Sequence, residues 1–395
     1  MKKIFLFFFL CFSLCAEDVP IKQTVCLNMI VKNESKVIER CLKSVKPLID
    51  YWVIVDTGST DGTQKILADF LEEIPGELHE RPWVNFEHNR NEALRLAKNK
   101  GDYILIIDAD EQLIFSKDFV KPVLDQDFYF IVTDHSGSKY KRIQLIKSRL
   151  DWKWKGVLHE ALSSEEAKSS GTLMNVENLY GFDGCRSHDP DKFRKDARIL
   201  ENALKKEPEN TRYLFYLAQS YRDAQEHDLA ISHYQKRAEQ GGWDQEVFWS
   251  LYQIGLIQER SHKESETFIN SYFKAFHYRP TRAEPLYRLA NYYRRMGNYV
   301  LGYVLAKHAL SLPYPNDHLF VETWVYEHGL ALELSLCAYY LQKYGESKVL
   351  SEMLLFKLNL PEEVRSCVKK NLEWINPKID FFKVVPLTPQ PENGR

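Results

Sequence analysis

The stretch Gly101–Leu113, GDYILIIDADEQL, decides how the first half of the chain folds. Tyr103 to Ile107 run apolar without a break, which suits a strand buried on both faces of a sheet. Two carboxylates, Asp108 and Asp110, follow with only Ala109 between them. On an extended chain, residues two apart point the same way, with Cα atoms about 6.6 Å apart. Side chains so placed can converge on one hard cation. Mg²⁺ or Mn²⁺ takes oxygen ligands and shares them with substrate phosphates. The competing reading is a pair of loop carboxylates facing water. The strand before them and the pattern around them favour chemistry.

That pattern alternates. Upstream, TVCLNMIV reads as a strand and ESKVIERCLKSV as a helix, with apolar residues three and four apart. YWVIV is a second strand, and STDGTQKILADFLEEI a helix capped by Ser59 or Thr60. GELHERPW is short and strand-like, and FEHNRNEALRLAKNK is a third helix ended by Gly101. Strands alternating with helices imply a mostly parallel sheet covered on both faces. In such sheets ligands bind beyond the carboxyl ends of the strands. YWVIVD also ends on an acid, Asp56, before a turn rich in Gly and hydroxyls. Two neighbouring strands are therefore expected to deliver Asp56 and Asp108/Asp110 to one edge. Asp61, in a first helical turn, is read as favouring the helix dipole.

Downstream, FYFIVTD, YKRIQLIKS and WKWKGVLHEAL read as strands with loops. From about Asp191 to Asn371 the chain turns almost wholly helical, and an internal repeat emerges. Leu217-Ala218 with Tyr221, Ala230 and Tyr234 fits tetratricopeptide spacing, as do Leu289-Ala290 with Tyr293 and Ala309. With FWSLYQIGLI midway, the period is about 36, close to the ~34 of helix–turn–helix repeats. The Pro-rich end, VVPLTPQPENGR, reads as a tail.

The bulk properties bound the answer. A chain of 395 residues is too long for one ordinary core, so two domains are expected. A net charge of −2 creates no field for nucleic acid or an acidic membrane. The start, MKKIFLFFFLCFSLCAED, has the layout of a signal peptide cleaved after Ala16, or of a short anchor left in place. Of seven cysteines, Cys11 and Cys15 fall in the leader; the other five are scattered without metal-type spacing and read as buried thiols rather than a disulfide framework.

LNMIVKNESKVIERCLKSV, VIVDTGSTDGT, FEHNRNEAL and DYILIIDADEQ together resemble the family 2 inverting glycosyltransferases of GT-A fold. Bacterial enzymes with a tetratricopeptide-like C-terminal region are the subgroup it resembles most, through KRIQLIKS, WKGVLHEAL and DGCRSHDPDKFRKDARIL. The implied architecture is a Rossmann-like α/β GT-A domain over 22–185, then all-α repeats over 190–374, between a leader at 1–16 and a tail at 375–395. The resemblance places Asn33 and Glu34 where base and ribose rest, and Asp56 on the base. It places Arg90 near the diphosphate, Asp108 on the ribose or metal, and Asp110 on the metal. The cofactor it implies is Mn²⁺ or Mg²⁺, and the donor a nucleotide sugar, with UDP the expected base carrier. An inverting transfer also needs a general base, for which His159 and Glu160 in VLHEAL are the candidates, His159 alternatively as a late metal ligand. The chain departs from the family pattern in having no clean QxxRW-type motif. Trp83, Trp152 and Trp154 suit stacking on a sugar or base as well as core packing. His188 reads as a surface residue.

The repeats suggest a peptide or protein partner. The acceptor is then a polypeptide or a cell-surface glycan. Membrane contact is expected only through an uncleaved N-terminus. A leader points outward while donor chemistry points to the cytoplasm, so location stays open. A haloacid-dehalogenase-type phosphatase also places DxD after a strand, but wants Thr or Val where Gln112 stands. The remaining alternative is a non-catalytic scaffold with a decayed transferase domain.

Overall fold

The computed structural model describes residues 23–384 apart from 71 and 73. The leader expected at 1–16 and the end of the chain beyond 384 lie outside the described residues.

The α/β half is built on β1 (Val25–Val31), β2 (Tyr51–Asp56), β3 (Gly76–Glu80) and β4 (Tyr103–Ile106), with α1 (Ile38–Val45), α2 (Thr63–Phe70) and α3 (Phe86–Ala97) between them. β3, β2, β1 and β4 pair in that order, all parallel. Alternation along β1 feeds both faces. Val25, Leu27, Met29 and Val31 pack with Ile38, Cys41, Leu42 and Val45 of α1, while Cys26 joins Leu94, Ala97, Ile104 and Ile106 on the α3 face. Asn28 is tolerated in that second face because its amide donates to Val53 O (3.2 Å) and Ala93 O (3.0 Å), so no buried donor is left unmade.

Beyond β4 the sheet turns mixed. β5 (Gln112–Phe115), β6 (Phe128–His135), β7 (Ser138–Lys147) and β10 (Ser170–Leu179) extend it in the order β7-β6-β10-β5. β7 runs antiparallel to β4 and β6, whereas β10 is parallel to β6. β8 (Lys153–Lys155) and β9 (Ala161–Ser163) form a separate hairpin. The expected adjacency of the two acid-bearing strands does not hold: β1 lies between β2 and β4. The consequence is favourable, because the loop Asn33–Glu34 at the end of β1 is thereby set between Asp56 and Asp108.

The helical half begins with α4 (Lys192–Leu204) and continues as hairpins: α5 (Thr211–Asp223) with α6 (His227–Glu239), and α7 (Asp244–Arg260) with α8 (Ser265–Tyr278). α9 (Glu284–Arg295) then pairs with α10 (Tyr299–Leu310), and α11 (Leu330–Tyr340) with α12 (Tyr344–Leu355). α13 (Glu362–Val384) closes the chain. It runs through residues 375–384, where the sequence pattern placed a tail; Ile375, buried to 1% exposure, anchors that turn despite Pro377 inside the helix. The repeat is uneven because the connection 311–329 is long. It carries β11 (Val321–Glu322), which pairs antiparallel with β7 and so joins the helical half to the sheet. A buried cluster holds the connection: Arg282 donates to Glu284 and to Asp317 (2.8 Å), and Arg279 donates to Asp317 (2.9 Å).

Candidate functional site

Three strand ends meet at the carboxyl edge. At the end of β1, Asn33 adopts φ 56°, a left-handed conformation that Asn tolerates better than most residues. Its N–H donates to Ser59 Oγ (2.8 Å), and its side-chain oxygen accepts from Thr60 N–H (2.8 Å). The Glu34 and Ser35 N–H groups donate to Thr63 Oγ1 (2.8 Å) and Asp61 Oδ2 (3.0 Å). The first two loops are thus stitched together. Asp61 is structural here. Burial would raise its carboxyl, but hydrogen bonds from Thr63 and Ser35 outweigh that and hold it far below the usual range.

Asp56 is fully buried at the end of β2. Its Oδ1 accepts from Gly58 N–H (2.8 Å) and Ser59 N–H (2.7 Å), which fixes the side chain; Gly58 supplies the φ of 105° that this turn needs. Its Oδ2 has no partner. A buried carboxylate oxygen left unmade costs about 1–3 kcal/mol and calls for an explanation.

β4 ends at Ile106, and Asp108 to Glu111 close a turn through Glu111 N–H to Asp108 O (3.1 Å). The expectation that Asp108 and Asp110 lie on extended chain is therefore corrected: the turn, not the pleat, sets their directions. Asp108 Oδ1 accepts from Arg90 Nη2 (2.8 Å), and Oδ2 lies 3.6 Å from Arg142 Nη1. Burial opposes its charge, but the two guanidiniums outweigh it and hold the carboxyl below its ordinary value. Asp110 makes no ion pair among the described residues. Burial, with Asp108 and Glu111 beside it, pushes its carboxyl up to about 6. Glu34, whose Oε2 accepts from Cys185 N–H (3.0 Å), is pushed up to about 7 by burial, with Asp110, Asp61 and Asp108 adding to the rise. This concentration of negative charge around Asp110 favours a cation.

Three residues that pattern reading missed complete this side. Glu111 is fully buried, and its carboxylate accepts from Asp108 N–H (3.1 Å) and from the Arg142 guanidinium. Arg142, on β7, has no local signature, since only the antiparallel register of β7 against β4 brings it to the edge. Arg40 of α1 was missed likewise. It donates to both oxygens of Asp183 (2.8 and 2.7 Å) and to Asp110 O (2.8 Å). Gly181 and Gly184 press against Asp110 so closely that a Cβ on either would overlap it.

Glu160 lies just before β9. Its side chain is 6% exposed, and Oε2 sits 3.5 Å from Arg90 Nε, while Oε1 and Arg90 Nε have no hydrogen-bond partner. Burial raises its carboxyl above the ordinary value, with Arg90 opposing. Arg90 therefore links Glu160 to Asp108, and lies over the Trp154 ring (5.0 Å). His159 is not brought to the carboxylates. Its ring stacks on Tyr216 of α5 (centroids 4.0 Å, planes 9° apart). Crowding by protein, then Arg212, Arg186 and Lys192, lower its imidazole below the ordinary value. Of the three tryptophans, Trp152 is core and donates to Lys147 O (3.1 Å), and Trp83 is exposed. His188 ends a short 3₁₀ turn. Cys26, Cys41 and Cys337 are buried free thiols as expected, but Cys185 and Cys367 are exposed.

Residues 26–154 match the family model for glycosyl transferase family 2. The chain is 26% identical over 237 residues to the SPbeta prophage-derived glycosyltransferase SunS of Bacillus subtilis, covering 56% of this chain and 54% of that one. It is 29% identical over 313 residues to a TPR repeat-containing protein of Synechococcus elongatus (73% and 75% covered), and 34% identical over 117 residues to an uncharacterized glycosyltransferase of Rickettsia felis (30% and 37% covered). It thus spans about half the length of the SunS relative. A tetratricopeptide repeat protein from Parabacteroides merdae superposes with TM-score 0.37 at 16% identity, covering 48% of this chain and 69% of that one. The chain carries a family 2 glycosyltransferase domain followed by a tetratricopeptide-like helical region.

Proposed function

We propose that the protein transfers a sugar from a nucleotide donor, UDP by preference, to an acceptor nucleophile with inversion at the anomeric carbon. The observation that carries this is Asp56. Its Oδ1 is locked by two backbone N–H groups, and its buried Oδ2 is orphaned beside the Asn33–Glu34 loop. An imide N–H of a uracil ring would satisfy that oxygen. Arg90 stands beside Asp108 at the end of β4, where a guanidinium suits a diphosphate.

The donor set at Asp108 and Asp110 is all oxygen, as Mg²⁺ or Mn²⁺ prefers. Among the described residues no group of three or more His, Cys, Asp or Glu side chains forms a cage. Such ions keep few protein ligands where phosphates supply the rest, so the residues present fit. Asp110 would hold the cation, with Asp108 on its flank. When bound, the cation would neutralise charge building on the leaving diphosphate. Glu160, burial-raised and tied to Arg90, would take the acceptor's proton. His159 is not needed as base or ligand. The acceptor is a polypeptide presented on the helical region or a cell-surface glycan.

The test is titration of UDP in Mn²⁺ by calorimetry, against the Asp56→Asn variant. Asn keeps an oxygen for Gly58 and Ser59 but turns an NH₂ toward the base, so affinity should fall about 10- to 100-fold, as for one lost, charge-assisted hydrogen bond. Equal affinity in parent and variant would remove Asp56 from the base site.

A further inference from the structure

We propose that the helical half supplies positioning residues to the transferase site: Tyr216 and Arg212 of α5 hold the loop Gly156–Glu160 and thereby aim the Glu160 carboxylate. The inference rests on Glu160 acting as the base. Nothing at the carboxylate itself sets its direction firmly, since Oε1 has no partner and Oε2 meets Arg90 only at 3.5 Å. Its direction is therefore inherited from the backbone before it.

That backbone is unusual, and between the paired ends of β8 and β9 it is held largely by the helical half. Gly156 has φ 122° and His159 φ 51°, a left-handed conformation that is uncommon for a residue other than Gly. The His159 ring lies flat on Tyr216, and the His159 carbonyl accepts from both Arg212 Nε (3.1 Å) and Nη2 (2.8 Å). Val157 N–H donates to Tyr213 OH (3.3 Å), and Leu158 is buried among Ala197, Leu200, Tyr213 and Leu217. The α/β half contributes Phe86, which packs against the same cluster, and Glu87, which accepts from Gly156 N–H (3.1 Å). Arg212 and Tyr216 are four apart on α5 and so share one face. The Arg212 guanidinium also lies 5.0 Å over the Tyr216 ring, which makes clamp and stack one unit. The helical half is then part of the catalytic unit as well as a surface for partners.

The experiment uses the full chain with Tyr216→Leu, Tyr216→Phe and Glu160→Gln. Hydrolysis of UDP-sugars in Mn²⁺, UDP affinity, and hydrogen exchange of residues 157–160 are measured in each. Tyr216→Leu should lower kcat about 10-fold or more with donor KM and UDP affinity unchanged, since a misaimed group costs turnover rather than binding. Amides 157–160 should exchange faster while β1, β2 and β4 keep their protection. Tyr216→Phe, which keeps the stack, should restore both. Parent-like exchange of 157–160 in Tyr216→Leu overturns the proposal whether or not any donor is turned over. So does a kcat loss matched by loss of UDP affinity and of protection across the sheet, which is the signature of packing alone. Full hydrolysis by Glu160→Gln would instead remove Glu160 as base, a failure separable from that of the clamp.

Discussion

Replacing Gly184 by Ala would separate the position of Asp110 from the stability of the fold. A Cβ at Gly184 would stand 2.7 Å from Asp110 Oδ2, 3.0 Å from Cγ and 3.2 Å from Cβ. Ordinary contact begins at 3.4 Å, so the carboxylate must withdraw by about 0.7 Å. Retreat of the oxygen alone does not clear the clash, because Cγ and Cβ are also too close. The backbone itself accepts Ala, since Gly184 has φ −62° and ψ 157°. Gly→Ala at a compatible site stabilises by about 0.4–1 kcal/mol through the unfolded chain, and an off-rotamer Asp110 costs about 0.5–1.5 kcal/mol. Net stability should change by less than about 1 kcal/mol. A displacement near 1 Å at a reacting centre can cost about 100-fold, so activity should fall between about 10- and 100-fold, with higher Mn²⁺ needed for half-maximal rate. The assay is nucleoside diphosphate release across a Mn²⁺ titration, paired with thermal unfolding. Parent activity and Mn²⁺ response in Gly184→Ala, beside an inactive Asp110→Ala, would refute the claim that the cation depends on this carboxylate's place. Gly181→Ala should be far worse, because its Cβ would meet the Asp110 backbone oxygen at 2.0 Å.

Asp61→Ala should destabilise the α/β half at pH 7, since Ser35 and Thr63 lose their acceptor. The folded Asp61 carboxyl lies below its unfolded value, so this stabilisation is present above about pH 4. The gap between parent and variant in urea unfolding should hold from pH 7 to 5 and narrow as pH falls below 4; a constant gap contradicts the hydrogen-bond assignment. Arg282→Met leaves Glu284 buried without its cation, while Asp317 keeps Arg279, and should cost about 3–5 kcal/mol in denaturant unfolding. A loss under 1 kcal/mol would mean the cluster does not brace the 311–329 connection.

Much of this was legible in local pattern, because the parallel βα units write their periodicity into contiguous sequence. TVCLNMIV, YWVIV and YILII each mark a strand, and the acids after them mark the edge. The helical hairpins announced themselves through Leu-Ala pairs at regular spacing. What escaped depends on pairing across long separations. Arg142 reaches Asp108 only through the register of β7 on β4, and β10 returns to lie beside β6 with no repeat to foretell it. The turn at Asp108–Glu111 was invisible because two acids after a strand look alike whether the chain runs on or folds back. His159 looked catalytic by its neighbour Glu160. Only α5, some 50 residues on, turns its ring away.

The most direct measurement of the central claim is nucleoside diphosphate release from a panel of UDP- and GDP-sugars in Mn²⁺, with EDTA and Asp110→Ala as controls. The account predicts slow release from one donor, lost with chelator and in the variant. No release from any donor, together with no Mn²⁺-dependent binding of UDP or GDP, would contradict it and leave a scaffold in the shape of a transferase.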